Sequence, residues 1–168
     1  MTEIILFFYQ NKYINKLREK LKLGLLRLIL CAPTGAGKTV MFSFMLKSAL
    51  SKNKRCMVLT HRTELLTQSG GVLSRLNSDY VNLDAKLKKV PTDAFMYIAM
   101  TQTLIRRLKK FEYLEILQNL DLLIIDESHL QNFNSIFPFL NPATIVIGAT
   151  ATPLRTGNQK SLDEFYQD

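Results

Sequence analysis

Cysteine is scarce in this chain: two residues in 168, Cys31 and Cys56, each inside an apolar run. Neither has a neighbour at the short spacing of a zinc-ligand pair, and two thiols cannot staple a disulfide scaffold. Buried free thiols are the expectation, as suits a reducing compartment. Long hydrophobic runs are also missing, since no stretch reaches the roughly 18 uncharged apolar residues of a membrane span. Residues 1–8 carry no basic leader and no small-residue cleavage site, which argues against a secretory signal. The expected location is intracellular, with no membrane partner. Internal repeats and low-complexity stretches are absent too, which removes solenoids and flexible linkers from consideration.

Acidic residues are in deficit. Lys and Arg number 22 against 14 Asp and Glu, a formal charge of +8, and the sequence pI is near 9.6. Such a balance favours polyanionic partners, because bound phosphates release condensed counterions, although a solvated basic surface fits the same numbers. Apolar residues make up 47% and charged residues 21%, so one folded domain is expected and disorder is not.

What the chain does contain is an alternation of short apolar runs with helical patterns, the mark of a parallel α/β sheet. Tyr13, Ile14, Leu17 and Leu21 repeat at helical spacing within residues 10–23. Strands are predicted at 25–32, 55–60, 95–100, 122–125 and 144–147, with a short edge strand near 80–87. Helices are predicted at 37–51 and 63–76, and one or two over 101–120. In such a sheet ligands sit beyond the carboxyl ends of the strands, so the polar residues just after each apolar run are the ones to examine.

After the first run comes Ala32-Pro33-Thr34-Gly35-Ala36-Gly37-Lys38-Thr39, followed by a helix. Glycines let backbone N–H groups turn inward around a phosphate chain, and the helix N-terminus adds its own donors. Lys38 can reach the β- and γ-phosphates, and the Thr39 hydroxyl can bind Mg²⁺. The strict phosphate-loop pattern asks for Gly where Ala32 stands. A plain connecting loop is the alternative. The fourth run, 122–125, leads straight into Asp126-Glu127-Ser128-His129. Adjacent carboxylates at the end of a buried strand are costly unless a cation or a reaction uses them. Asp126 is placed to hold Mg²⁺ opposite Thr39, and Glu127 to orient and deprotonate the attacking water. An exposed acidic turn is the bland alternative, and it loses weight beside the Gly-Lys-Thr loop.

Residues 32–39 and Asp126-Glu127-Ser128-His129 resemble motifs I and II of superfamily 2 helicases, and Gly148-Ala149-Thr150-Ala151-Thr152-Pro153 resembles motif III. Val58-Leu59-Thr60-His61-Arg62, with Glu64-Leu65-Leu66 and Gln68, is similar to motif Ia of the DEAH-like, restriction-motor branch. Ala99-Met100-Thr101-Gln102-Thr103-Leu104 is similar to the next motif, and Tyr9-Gln10 to an upstream Tyr-Gln pair. The resemblance covers about residues 5–167. It implies an α/β RecA-like P-loop NTPase lobe, a mostly parallel sheet with helices on both faces, using ATP and Mg²⁺. Pro33, Thr34, Gly35, Ala36, Gly37, Lys38 and Thr39 would bind the triphosphate and metal, and Gln10 the adenine. Lys38, Asp126 and Glu127 would be catalytic. His129, Thr150 and Thr152 would couple nucleotide state to lobe movement. Thr60, His61, Arg62, Thr101 and Gln102 would face a nucleic-acid backbone, DNA in preference to RNA, contacts that carry no base information. Helix capping is an equal alternative for Thr101.

The family implies a motor moving on nucleic acid, with a second lobe supplying motifs IV to VI in cis or in trans. Residues 1–168 are read as the ATP-binding lobe alone. Without an arginine finger, worth on the order of 10³–10⁵ in rate, the isolated lobe is expected to be weakly active or inactive. The competing class is a non-catalytic nucleic-acid-binding module with a vestigial nucleotide site, against which intact Lys38, Thr39, Asp126 and Glu127 argue.

Overall fold

The structure, a computed structural model, describes residues 4–60, 79–128 and 131–151. Six strands form one sheet: β1 (Arg27–Cys31), β2 (Cys56–Thr60), β3 (Val81–Leu83), β4 (Met96–Met100), β5 (Leu122–Ile125) and β6 (Ile145–Thr150). Their spatial order is β1-β6-β5-β2-β4-β3. Every pairing is parallel. All six strands therefore end on the same edge.

Side chains alternate across the sheet with period two, so each buried strand feeds two cores. On one face α1 (Phe8–Lys22) and α2 (Lys38–Leu50) bring Ile14, Leu17, Met41, Phe42 and Leu46 against Leu28, Leu30, Val58 and Ile124. On the other, α3 (Thr101–Arg107) and α4 (Phe111–Gln118) bring Leu104, Tyr113, Ile116 and Leu117 against Met57, Leu59, Tyr97 and Ile125. Lys110, in extended backbone, separates α3 from α4. The break lets two short helices press on one core. The α/β sheet with helices on both faces is thus what the structure shows, and the sheet is entirely parallel.

Several boundaries moved. The last strand runs past residue 147 through Gly148-Ala149-Thr150, because Gly148 pairs with both neighbours, Ile125 on β5 and Ile29 on β1, while Ala149 and Thr150 continue the ladder opposite Leu30 and Cys31 of β1. A strand held on both sides tolerates residues of weak intrinsic preference. The edge strand near 80–87 is only Val81–Leu83. The Asp84 carboxylate ends it by accepting the N–H groups of Lys86 at 2.8 Å and Leu87 at 3.0 Å, a local turn that competes with the ladder. A 3₁₀ segment, Gln131–Phe139, was not anticipated. It is held by tertiary contacts, with Ile136, Phe137 and Leu140 in the α3–α4 core and Gln118 Nε2 donating to the Phe139 carbonyl at 2.7 Å. The helix expected at 63–76 lies outside the described residues. Among the described residues no helix is long and apolar enough to cross a membrane.

The expectation of two buried thiols holds for one. Cys56 is buried on β2, whereas Cys31 is exposed, because β1 leaves the core at its last residue. Burial, and then the negative charge of Asp121, push the Cys56 thiol up to about 12. One thiol is therefore expected to react with a disulfide reagent at pH 8 in the native protein, and two in denaturant. Two native equivalents would show that the β2 core opens readily.

At the opposite edge from the strand ends, Asp121 accepts the Lys54 ammonium at 2.9 Å and the Arg55 N–H at 2.8 Å. Burial works against its carboxylate, but those two partners outweigh it and hold the pKa below the ordinary value. A depressed folded pKa means that the stabilisation is present above about pH 4 and is lost as pH falls through the folded value. Because Lys54 is half exposed, the contribution is only about 0.5–1 kcal/mol. Urea melts of wild type and Asp121→Asn should differ by that amount at pH 7 and converge near pH 2. A gap that persists at pH 2 would mean that the difference is not carried by the charge.

Candidate functional site

The edge formed by the strand ends collects the residues singled out above. Residues 32–37 leave β1, and the ladder carries one step further, the Ala32 N–H donating to the Thr150 carbonyl at 3.0 Å. Gly35 has φ +85° and Gly37 φ +74°, a region that only glycine enters freely. These two bends curl the loop over the start of α2. The Gly37 carbonyl accepts the N–H groups of Val40 at 2.9 Å and Met41 at 3.1 Å, which opens the helix. Gly37 offers no side-chain cap, so the first N–H groups of α2 stay directed at the loop hollow, an anion cradle. Pro33, Thr34 and Gly35 are exposed, and Ala36 through Thr39 half-buried. The Lys38 ammonium folds back onto the Ala32 carbonyl at 3.0 Å. A phosphate oxygen is the stronger, charged acceptor for which the ammonium could exchange this carbonyl.

Gln10 is 1% exposed, and both ends of its amide are hydrogen-bonded. Its Oε1 accepts the Phe7 N–H at 3.0 Å, and its Nε2 donates to the Ala36 carbonyl at 3.1 Å. A Cβ on Gly37 would run into that same Nε2, a packing demand on glycine beyond its φ. Gln10 therefore clamps the N-terminus of α1 to the phosphate loop. The contacts that it makes are to the chain itself rather than to an open pocket. Beside it, Phe7 and Tyr9 stack with ring centroids 5.9 Å apart.

Two strands away, β5 ends in Asp126, which is 8% exposed, and Glu127, which is half-buried. The Asp126 N–H donates to the Leu59 carbonyl at 2.9 Å, and the Ser128 N–H to the Ala149 carbonyl at 2.8 Å. Between them Glu127 takes a φ of +54°, an unusual conformation for a residue with a side chain. Such outliers concentrate where the surroundings enforce them. Since β6 lies between β1 and β5, the axes of the strands leading to Lys38 and Asp126 are about 10 Å apart. A gap of that size is within the combined reach of a lysine side chain and a phosphate chain. The 88 positions that separate Lys38 from Asp126 in sequence collapse to a two-strand step.

The other strand ends fall into two groups. Thr150, on β6 between the two halves of the site, is fully buried. Thr60 is likewise 0% exposed and Thr101 1%, while Gln102 is exposed. Of the three residues expected to face a nucleic-acid backbone that are described, only Gln102 presents itself at the surface. Strand-end position predicts direction but not depth. His61, Arg62, His129 and Thr152 lie outside the described residues. Reading the sequence missed the Gln10–Ala36 clamp and the left-handed backbone of Glu127. The first joins residues 26 apart, and the second occurs at a residue type with no preference for it.

Comparison with known proteins agrees with this layout. Residues 3–155 match the family of the type III restriction enzyme res subunit. The Saccharomyces cerevisiae protein IRC3, whose name classes it as an ATP-dependent helicase, is 29% identical over 162 aligned positions, covering 86% of this chain and 23% of that protein. The UvsW helicase of bacteriophage T4 superposes with a TM-score of 0.67 at 21% identity, covering 88% of this chain and 52% of that one. The SWI2/SNF2 ATPase core of Sulfolobus solfataricus, solved with double-stranded DNA, gives 0.66 at 20% identity over 89% of this chain and 32% of its own. The type ISP restriction-modification enzyme LlaGI, solved with a DNA substrate mimic, gives 0.67 at 18% identity over 95% of this chain and 19% of its own. At these identities the structures speak for the fold alone, and the chain spans well under two thirds of each relative. The family match runs through the phosphate loop, the acidic strand end and residues 148–153 alike. The chain thus belongs to the family of the type III restriction enzyme res subunit and is a RecA-like ATPase lobe of the superfamily 2 helicase type.

Proposed function

We propose that this lobe binds ATP with Mg²⁺ at the strand-end edge and, joined by a second RecA-like lobe in cis or in trans, drives movement on nucleic acid. The observation that carries the reading is the convergence of the β1, β6 and β5 ends on one edge of an all-parallel sheet. Gly35, Gly37 and the start of α2 cradle the phosphates, and Lys38 exchanges the Ala32 carbonyl for a phosphate oxygen. Thr39 and Asp126 are the oxygen donors that would hold Mg²⁺. The bound ion offsets the charge of the phosphate chain. Glu127 orients a water and takes its proton on a carboxylate oxygen. Gln10 keeps the loop in register with α1, and an adenine would meet that clamped amide. His129, Thr150 and Thr152 transmit the state of the site, and Thr60, His61, Arg62, Thr101 and Gln102 serve the polymer.

DNA is preferred as the polymer because two of the similar structures were solved with DNA and the matched family is that of a restriction enzyme subunit. The basic balance of the chain supports a polyanionic partner. A direct test is calorimetric titration of the lobe with Mg²⁺·ATP, followed by ATPase assays of the lobe alone and of a two-lobed protein. Measurable binding is expected, with turnover in the lobe lower by on the order of 10³–10⁵ and DNA stimulating the two-lobed form. Absence of nucleotide binding, or a two-lobed protein indifferent to DNA and RNA alike, would sink the proposal.

A further inference from the structure

Among the described residues three buried side-chain atoms make no hydrogen bond: Asn82 Oδ1, Thr101 Oγ1 and Ser128 Oγ. A native fold seldom leaves a buried hydroxyl unpaired, and each exception needs a reason. Ser128 is 0% exposed and directly follows Glu127.

Its setting is unusual. In a regular strand residues two apart turn their N–H groups toward the same neighbouring strand. Here Asp126 bonds to Leu59 on β2 and Ser128 to Ala149 on β6, opposite sides of β5. The positive φ of Glu127 reverses the alternation. Glu127 is thereby suspended between two backbone anchors, and Ser128 is bonded to β6 at Ala149, the residue before Thr150. Both anchors are main-chain bonds, which an alanine at 128 would keep. The hydroxyl therefore contributes nothing to the free lobe that alanine would not supply, and it leaves an unpaired polar atom in the core.

We infer that Ser128 is a positioning residue whose hydroxyl gains its hydrogen-bond partner only when nucleotide occupies the edge between the phosphate loop and Glu127. Pairing of that hydroxyl then locks the β5–β6 ends around Glu127 as the site fills. The inference rests on the nucleotide reading above and adds a coupling element to it. It also gives the unpaired atom a purpose that the free fold does not.

The test is Ser128→Ala in the 168-residue chain, followed by thermal melts with and without saturating Mg²⁺·ATPγS and by calorimetric titration of that nucleotide. Without nucleotide, removal of an unpaired hydroxyl should raise Tm by about 2–4 °C. With nucleotide the gain should vanish, and affinity should fall about tenfold, because the variant lacks the bond formed on binding. A residue that merely packs would shift both melts equally and leave affinity unchanged, and that result overturns the inference. A variant less stable than wild type without nucleotide overturns it as well, since the hydroxyl would then already have a partner. If wild type itself binds no ATPγS, the nucleotide reading fails first and takes this inference with it, an outcome visible before any variant is made.

Discussion

Lys38→Ala is expected to weaken Mg²⁺·ATP binding by about 10- to 150-fold while leaving the fold intact. The estimate takes charge-assisted hydrogen bonds to a phosphate at roughly 1.5–3 kcal/mol. In the free lobe the ammonium has a replaceable partner, the Ala32 carbonyl, so ligand binding exchanges one acceptor for a stronger, charged one. The loop itself does not depend on the lysine. Its shape comes from the bends at Gly35 and Gly37 and from the Gln10 amide that holds Ala36. A calorimetric titration would therefore show lost affinity with an unchanged melt in the absence of ligand. Equal affinity in wild type and variant would mean that the site is vestigial, whatever its appearance.

Glu127→Gln should do the opposite, keeping nucleotide affinity and lowering turnover of the two-lobed protein by on the order of 10²–10⁴, the usual reach of a general base. The substitution is isosteric, and the backbone at this position is set by its neighbours: Asp126 is tied to Leu59 and Ser128 to Ala149. The left-handed φ of +54° should survive the change. The amide still orients a water but cannot accept its proton, which separates chemistry from binding. Loss of affinity together with turnover would argue that Glu127 holds the metal instead, and the roles of Asp126 and Glu127 would need reassignment.

How much of this could be read before folding depends on the range of each interaction. The strand 122–125 is visible as four consecutive aliphatic residues, and its end is visible because two carboxylates follow at once. The phosphate loop is equally local, since glycine spacing and the helix start lie within eight residues. The segment Gln131–Phe139 does place Phe133, Ile136 and Phe137 at helical spacing, but it is short and contains Pro138, and its 3₁₀ form is held by contacts with α3 and α4. The depth of Thr60 and Thr101 was likewise hidden, because burial at a strand end depends on what packs above it.

Local chemistry along the chain, meaning apolar periodicity, glycine placement and the carboxylates after an aliphatic run, was enough to specify an α/β sheet and to name a phosphate cradle with an acidic counterpart. Only folding decided that β6 inserts between β1 and β5, that Gln10 grips the loop 26 residues away, and that Glu127 is pinned from both sides with an unpaired hydroxyl beside it. The division has a physical basis. Backbone preference and patterning act within a few residues, whereas strand order, burial and side-chain pairing arise from packing between segments that the linear order keeps apart.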